Sequence, residues 1–199
     1  MYEFWEQRYK EEGYAYGEAP NVFFKQVIDK LAAAKMLLPA EGEGRNAVYA
    51  ALNGWDVDAY DFSEQAIDNA QDFAEQHGVS INYVHGSHSD LDRYEQNYDA
   101  IALIYAHVPN EIRRQFHQQL LSLLKPGGVF ILEAFTTEQL GNGSGGPVDI
   151  NMLYQLDRIR NDFEAVCDFE LLEEVEEQLN EGKYHVGKAN FIRMLAVKK

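Results

Sequence analysis

Two glycines and an aspartate in the first third of the chain have the residue types and spacing of a ligand-binding loop. Gly42 and Gly44 follow a short apolar segment, and Asp61 comes 17 residues after Gly44. Glycine lets the backbone approach a ligand closely, because no Cβ lies in the way. The free N–H groups at a helix start favour a negative group on that ligand. A carboxylate at the end of the next strand can accept hydrogen bonds from two ribose hydroxyls.

The segments around these residues predict the elements that position them. Residues 35–53 have the pattern of a strand, a tight loop and a helix, and residues 55–61 form a second apolar run that ends in Asp61. Strand, loop, helix, strand and acid, in that order, are typical of a site that holds a nucleotide-like cofactor at the edge of a parallel sheet.

Strands and helices continue to alternate along the rest of the chain. This predicts an α/β fold: a doubly wound, Rossmann-like, mostly parallel sheet with helices on both faces and a C-terminal antiparallel hairpin. Ser63 is the expected N-cap of one helix, and Pro109 is the expected start of another. Outside the loop region we expect helices over 2–12, 21–34, 63–77, 109–124 and 149–163, and strands over 80–84, 98–105, 129–135, 169–179 and 189–197.

The composition limits the classes of partner. The 199 residues carry a net charge of −16, which repels nucleic acid and anionic membranes and favours small or cationic partners. No apolar run reaches the ~20 residues that span a bilayer. Cys167 is the single cysteine, so no disulfide can form within the chain, and a cytoplasmic location is expected. The sequence is compatible with a monomer or a homodimer.

Further short motifs occur in a fixed order along nearly the whole chain, and the ordered set is more specific than any one of them. They are Phe4-Trp5-x-x-Arg8-Tyr9, Gly42-x-Gly44-Arg45-Asn46-Ala47, Asp61-x-Ser63, His107-Val108-Pro109, Leu124-Lys125-Pro126-Gly127-Gly128, Leu132-Glu133-x-Phe135, Gly145-Gly146-Pro147 and Glu181-Gly182-x-x-His185-x-Gly187.

This set resembles the small class I S-adenosylmethionine-dependent methyltransferases, most of all the tellurite-resistance and thiopurine-methyltransferase-like group. The resemblance implies S-adenosylmethionine as cofactor, S-adenosylhomocysteine as product, and a small-molecule acceptor such as a thiol or a metalloid. It also implies one domain over 1–199. In that domain, 1–34 covers the cofactor site, 35–135 forms the cofactor-binding core, and 136–199 supplies a substrate-side loop, a helix and the hairpin.

The resemblance further implies roles for individual side chains. Asp61 would hold the ribose hydroxyls, and Phe62 would flank the adenine. Ser87 and His88 follow the third strand, where the family usually contacts the adenine amino group. The other implied cofactor contacts are Glu41, Gly42, Gly44 and Asn46 at the loop, Ala106 near the methyl-transfer centre, and the aromatic cover of Trp5, Tyr9 and Tyr16.

Two positions depart from the family pattern. Ala40 stands where the first loop glycine is common, and because alanine favours negative φ, we expect this turn to take a non-glycine conformation. Ser87 stands where an acid is often found. The adenine contact would then come from a backbone amide, from the Ser87 hydroxyl or from Asp90.

Several side chains have a structural alternative. His107 could be a substrate-side base, or it could order its loop through a backbone hydrogen bond. His185 with Arg193 could line a substrate mouth or be structural, and Trp5 and Tyr9 could be packing residues. The histidine spacings complete no fixed zinc-ligand pattern, so no metal is expected.

Two other functions compete with methyl transfer. A nicotinamide-dependent oxidoreductase would carry Gly-x-Gly-x-x-Gly, but Arg45, Asn46 and Ala47 follow Gly44 without a third glycine. An S-adenosylmethionine-binding protein without transferase activity also fits, because methyl transfer needs no obligate catalytic side chain that a sequence could reveal.

Replacing Asp61 by alanine tests the predicted ribose contact. Asp61→Ala should weaken cofactor binding at least tenfold, about 1.4 kcal/mol, because the ribose hydroxyls lose a charged acceptor. Titration calorimetry measures the change, and an unchanged affinity would refute the role.

Overall fold

The computed structural model describes residues 2–199 and contains a seven-stranded sheet flanked by helices. The strands are β1 Lys35–Pro39, β2 Asp56–Asp61, β3 Asn82–His85, β4 Tyr98–Ile104, β5 Leu124–Phe135, β6 Cys167–Glu181 and β7 His185–Lys198. The helices are α1 Tyr2–Tyr9, α2 Val22–Ile28, α3 Arg45–Leu52, α4 Glu64–Gln76, α5 Asn110–Leu123 and α6 Leu156–Phe163.

The strand order confirms the predicted doubly wound architecture. It runs β3-β2-β1-β4-β5-β7-β6, with parallel pairing from β3 to β5 and antiparallel pairing of β7 with both β5 and β6. Apolar side chains of α2, α3 and α4 pack on one face of the sheet, and those of α5 and α6 pack on the other. The carboxyl ends of β1, β2 and β4 therefore meet at one edge, where a ligand site is expected.

Three helices are shorter than the sequence predicted, and the first of them, α1, ends at Tyr9. Residues 29–34 leave the helical path after α2, because the carbonyl of Ala34 accepts the N–H of Asp56 as the chain enters β1. The predicted helix over 149–163 begins only at Leu156. Before it, the N–H of Tyr154 donates to the carbonyl of Phe135, and this sheet-like contact is incompatible with helix.

The C-terminal strands are longer than predicted and extend past the end of β5. β7 pairs with β5 only from Val197 to Phe191, and its remaining residues pair with β6 alone. The glutamates among residues 173–177 are exposed on β6, the outermost strand. No helix within residues 2–199 is both long and apolar enough to cross a membrane.

The expectation for Ala40 was wrong. Its φ is +50°, so it adopts the left-handed conformation that ordinarily favours glycine. The N–H of Glu41 donates to the carbonyl of Tyr60 at 3.2 Å, which keeps the turn against β2. A non-glycine residue in this conformation costs roughly 1–2 kcal/mol, which the surrounding loop contacts must offset.

Relieving this strain should stabilise the protein. Ala40→Gly should raise the free energy of unfolding by about 1 kcal/mol, since glycine adopts positive φ without a Cβ clash. Ala51→Gly, within α3, is the matched control and should lower it by about 1 kcal/mol. Urea denaturation measures both, and destabilisation by Ala40→Gly would contradict the assigned strain.

Candidate functional site

Asp61 fixes the glycine loop at the carboxyl end of β2. Its carboxylate is buried; Oδ2 accepts the N–H of Gly42 at 3.0 Å, and Oδ1 accepts the N–H of Ser63 at 2.9 Å. The Tyr83 hydroxyl, from β3, donates to the carbonyl of Gly42. Side chains from two strands thus hold both backbone groups of Gly42. Burial raises the pKa of Asp61 above its ordinary value.

The two loop glycines are required by the packing of the protein itself. A Cβ on Gly42 would lie 2.9 Å from the hydroxyl oxygen of Tyr9, and one on Gly44 would lie 2.7 Å from the Cβ of Ala70 in α4. Both glycines also have positive φ. The packing of the protein therefore explains both glycines without any ligand. The structure is also compatible with the predicted ligand contacts.

Glu41 occupies the N-terminus of α3. Its Oε1 accepts the N–H groups of Asn46 and Ala47 at 2.8 and 2.9 Å, and its Oε2 accepts the Asn46 side-chain amide at 3.2 Å. These N–H groups are the ones that a helix start offers to a ligand phosphate. In this protein the Glu41 carboxylate already accepts these N–H groups. Burial, the largest influence, raises the pKa of Glu41 to about 7.

The loop is surrounded by carboxylates that have no basic partner. Glu43 accepts the N–H of Ala15 at 2.7 Å and the Asn69 amide at 2.9 Å. Within residues 2–199, no lysine, arginine or histidine lies within 4.0 Å of the carboxylates of Glu41, Glu43 or Asp61. Buried charges are usually paired, so this site has an excess of negative charge suited to a cation.

The predicted aromatic cover forms one cluster above the loop. The rings of Trp5 and Tyr9 stack at 5.6 Å, and Trp5 lies 6.3 Å from Tyr16. Tyr16 in turn lies 4.3 Å from the ring of His185 at the hairpin. The cluster therefore joins α1, the following loop and β7, which is compatible both with packing and with the predicted cover.

The tip of the hairpin closes against the loop that follows α1. The N–H of Lys183 donates to the carbonyl of Ala15 at 3.0 Å. The Arg45 guanidinium of α3 forms an ion pair with Glu181 at 2.8 Å and also donates to the carbonyl of Tyr16 at 3.1 Å. Arg45 thus forms its direct ion pair with the hairpin, and from there its charge also lowers the pKa of Glu41 and of Glu43 against the larger effect of burial.

The residues predicted at the adenine follow the ends of β2 and β3. The N–H of Gly86 donates to the carbonyl of Asp61 at 2.9 Å, which places Phe62 and the segment after β3 on neighbouring strand ends. The Ser87 hydroxyl and N–H both donate to the Asp90 carboxylate at 2.9 Å. The serine and the acid therefore form one unit. His88 lies 6.2 Å from the ring of Phe116, and Ala106 is buried in the core beside it.

His107 makes two backbone hydrogen bonds. Its Nδ1 contacts the carbonyl of Met152 at 2.7 Å, and its Nε2 accepts the N–H of Phe135 at 3.1 Å. Both ring nitrogens are engaged, and burial lowers the pKa of His107 to about 4. This geometry favours the structural alternative.

His185 is buried beside an acid. Its Nδ1 lies 3.6 Å from the Glu181 carboxylate and has no closer partner within residues 2–199. Burial lowers the pKa of His185, which keeps the imidazole neutral near pH 7. Arg193 does not accompany His185; it pairs with Glu133 and Glu177.

A buried network at the ends of β4 and β5 was not predicted. The Asn21 side-chain amide donates to Glu133 at 2.7 Å and to the Tyr105 hydroxyl at 3.2 Å, and its N–H donates to the Asn46 side chain at 2.9 Å. Tyr105 has a φ of +53°, an outlier of the kind that clusters at functional sites. The available signal was Glu133, an acid within an otherwise apolar strand.

Comparisons with known proteins agree with this geometry. Residues 39–128 match a methyltransferase domain. The matched region runs from the last residue of β1 to the first part of β5 and includes Glu41, Gly42, Gly44 and Asp61. This match supports S-adenosylmethionine as the cofactor, as the sequence predicted.

Likeness to solved structures covers most or all of the chain and extends the comparison to the fold. TehB from Haemophilus influenzae superposes with a TM-score of 0.77 at 18% identity, covering 100% of this chain and 67% of that one. A SAM-dependent methyltransferase from Methanosarcina mazei gives 0.71 at 16% identity, covering 87% and 96%. At these identities the likeness shows the methyltransferase fold.

A curated relative is the ubiquinone biosynthesis O-methyltransferase of Rickettsia conorii, which is 29% identical over 111 residues. The alignment covers 55% of this chain and 37% of that protein.

Removing the His107 side chain should destabilise the fold. His107→Ala leaves the Phe135 N–H and the Met152 carbonyl unpaired, and it should cost about 2 kcal/mol at pH 7.5. Because folding lowers the pKa of His107 from 6.5 to about 4, its stabilisation is present above pH 6.5 and is lost as the pH falls toward 4. The difference in the free energy of unfolding between the wild type and the variant should therefore become smaller as the pH falls. Urea titrations at several pH values measure it, with exposed His77→Ala as the control.

Proposed function

We propose that this protein is an S-adenosylmethionine-dependent methyltransferase acting on a small-molecule acceptor. The observation that carries the proposal is the charge of the glycine loop. Glu41 fills the helix N-terminus, and Glu43 and Asp61 also lack basic partners. A dinucleotide phosphate would meet a carboxylate where it needs N–H donors. A cationic nucleoside would supply the positive charge that the loop lacks.

The residues present fit this cofactor. Asp61 offers a carboxylate already oriented by two N–H groups, which suits ribose hydroxyls. The aromatic faces of Trp5, Tyr9 and Tyr16 suit a sulfonium, because cation–π contact contributes on the order of 0.5–2 kcal/mol. When bound, the cofactor would supply an already activated methyl group. The chain's contribution is then to orient the acceptor and exclude water, which can supply roughly 7–11 kcal/mol.

His185 is the group best placed to receive a proton from an acceptor. It is neutral near pH 7, lies 3.6 Å from the Glu181 carboxylate and is ringed by Tyr16 and Tyr105 at 4.3 and 4.8 Å. A hydroxyl or amine acceptor would need such a base. A thiolate or a reduced metalloid would need none, so the acceptor class determines whether His185 acts chemically.

The alternatives fare differently. An oxidoreductase is disfavoured, because Glu41 occupies the phosphate position. A binding protein without transferase activity would need the same loop, so only a methyl-transfer assay distinguishes it from an enzyme. The resemblance to the tellurite-resistance group supports testing thiols and metalloids first, and a cytoplasmic location fits the buried, unpaired Cys167.

Calorimetry with S-adenosylmethionine and with NADH tests the cofactor, and a methyl-transfer assay tests the activity. We expect uptake of S-adenosylmethionine, none of NADH, and product S-adenosylhomocysteine with at least one of a panel of thiols, selenite and tellurite. Binding of NADH alone would overturn the proposal. Binding of S-adenosylmethionine without turnover on a broad acceptor panel would favour the binding protein.

A further inference from the structure

Asn21 makes more hydrogen bonds than its position at a helix start requires. It is the N-cap of α2, where its Oδ1 accepts the N–H of Phe24 at 2.8 Å. Serine and aspartate cap about as well, so capping does not require a side-chain amide. The Asn21 amide nevertheless donates to Glu133 at 2.7 Å and to the Tyr105 hydroxyl at 3.2 Å, and only 1% of the residue is exposed. These two buried bonds need a reason other than the helix.

One side of Asn21 is bonded to the cofactor loop. Its backbone N–H donates to Oδ1 of Asn46 at 2.9 Å, and the Asn46 amide donates to Glu41 at 3.2 Å. Asn46 is buried in the first turn of α3. The start of α2 is thus fixed to the loop through the main chain, and a side-chain substitution at position 21 leaves that donor in place.

The other side of Asn21 is bonded to Tyr105, whose backbone is strained. The φ of Tyr105 is +53°, and a bulky residue keeps a positive φ only where its surroundings hold it. The carbonyl of Glu133 accepts the Tyr105 N–H at 2.8 Å, and the Asn21 amide donates to the hydroxyl at the far end of the ring. Tyr105 is therefore held at both ends.

The Tyr105 ring forms one wall of the expected acceptor side. It stacks on Phe135 at 4.8 Å and lies nearly perpendicular to the imidazole of His185, also at 4.8 Å. Tyr105 directly precedes Ala106, the position expected near the methyl-transfer centre. A displacement of Tyr105 would therefore move this wall, and the His185 ring packed on it, relative to the cofactor loop.

We propose that Asn21 is a positioning residue for methyl transfer: its amide holds Tyr105 and Glu133 against the cofactor loop, so that the acceptor meets the methyl group in one geometry. This inference rests on the proposed function. Methyl transfer depends on proximity and orientation, and a displacement of about 1 Å can cost on the order of 100-fold in rate. Asn21 acts through Tyr105 and Glu133 and is not expected to touch the reacting atoms.

The variant Asn21→Asp tests this role, because it keeps the size and the capping oxygen but turns the amide into a carboxylate that faces Glu133. We expect kcat to fall at least tenfold. The Kd for S-adenosylmethionine should stay within about threefold of the wild-type value, because the main-chain bond to Asn46 remains. Turnover is measured with whichever of the thiols, selenite and tellurite the wild type methylates fastest, and the Kd is measured by calorimetry.

A matched control and a rescue variant accompany it. Asn53→Asp, at the exposed C-terminal end of α3, makes the same charge change, loses one donated bond to the carbonyl of Tyr49 and should keep the wild-type kcat. In Asn21→Asp/Glu133→Gln the net charge is restored, and the new amide at position 133 can donate to the new carboxylate at position 21. This reversed pair should recover most of the lost kcat.

Hydrogen exchange of the free protein tests the contact without any acceptor. The segment around Tyr105 should exchange faster in Asn21→Asp and return toward the wild-type rate in the reversed pair. The amides of α2 should be unchanged, because the cap is kept. Should Asn21→Asp fail to fold, Asn21→Ser takes its place, since serine keeps a capping hydroxyl but is too short to reach Tyr105 and Glu133.

The proposal and the function can fail separately. An unchanged kcat in Asn21→Asp, or unchanged exchange around Tyr105, would overturn the positioning role while leaving the cofactor assignment intact. Equal losses of kcat and of S-adenosylmethionine affinity would also overturn it, because Asn21 would then serve the loop alone. No uptake of S-adenosylmethionine, or no turnover by the wild type, would defeat the function itself.

Discussion

The glycine loop is built around carboxylates that are held by N–H groups instead of by cations. Asp61 accepts from the loop and from the start of α4, Glu41 accepts from the start of α3, and Glu43 accepts from the segment after α1. Buried charge without a counter-ion is costly, and these donors are what make it tolerable. These contacts hold the loop in place directly after the left-handed Ala40.

The same fold binds many kinds of ligand, and this arrangement of carboxylates gives a physical reason why the site in this protein should favour positive charge. Parallel sheets of this kind commonly present a free helix N-terminus, which favours anions. Here Glu41 supplies the anion from within the chain, so we expect the site to favour a cation. Function on a shared fold is set at such positions and not by the topology.

The sequence predicted the sheet, its antiparallel hairpin and the loop, because hydrophobic alternation and the Gly42–Asp61 spacing are local signals. It did not predict why the glycines are needed, since Tyr9 and Ala70 approach them only after α1 and α4 have packed. It also did not predict the conformation of Ala40, because propensity alone cannot show that tertiary contacts will hold an unfavourable φ.

The acceptor side was the least predictable part. Asn21, Tyr105 and Glu133 lie 84 and 28 residues apart in sequence and meet only where α2 begins and β4 and β5 end. Single residues of this kind carry no spacing pattern. His107 and His185 looked alike in the sequence, and their different hydrogen bonding separates them: one is fully engaged by the backbone, whereas the other retains an unpartnered nitrogen.

The hairpin tip joins segments that lie far apart in the sequence, with Lys183 bonded to Ala15 and Glu181 to Arg45. During synthesis β1 to β4 emerge from the ribosome before β6 and β7 do. Until the hairpin has emerged, Arg45 lacks its partner Glu181 and Tyr16 lacks its neighbouring imidazole. The nascent chain can thus form its central sheet first, whereas the contacts that close the hairpin onto the segment after α1 must form later.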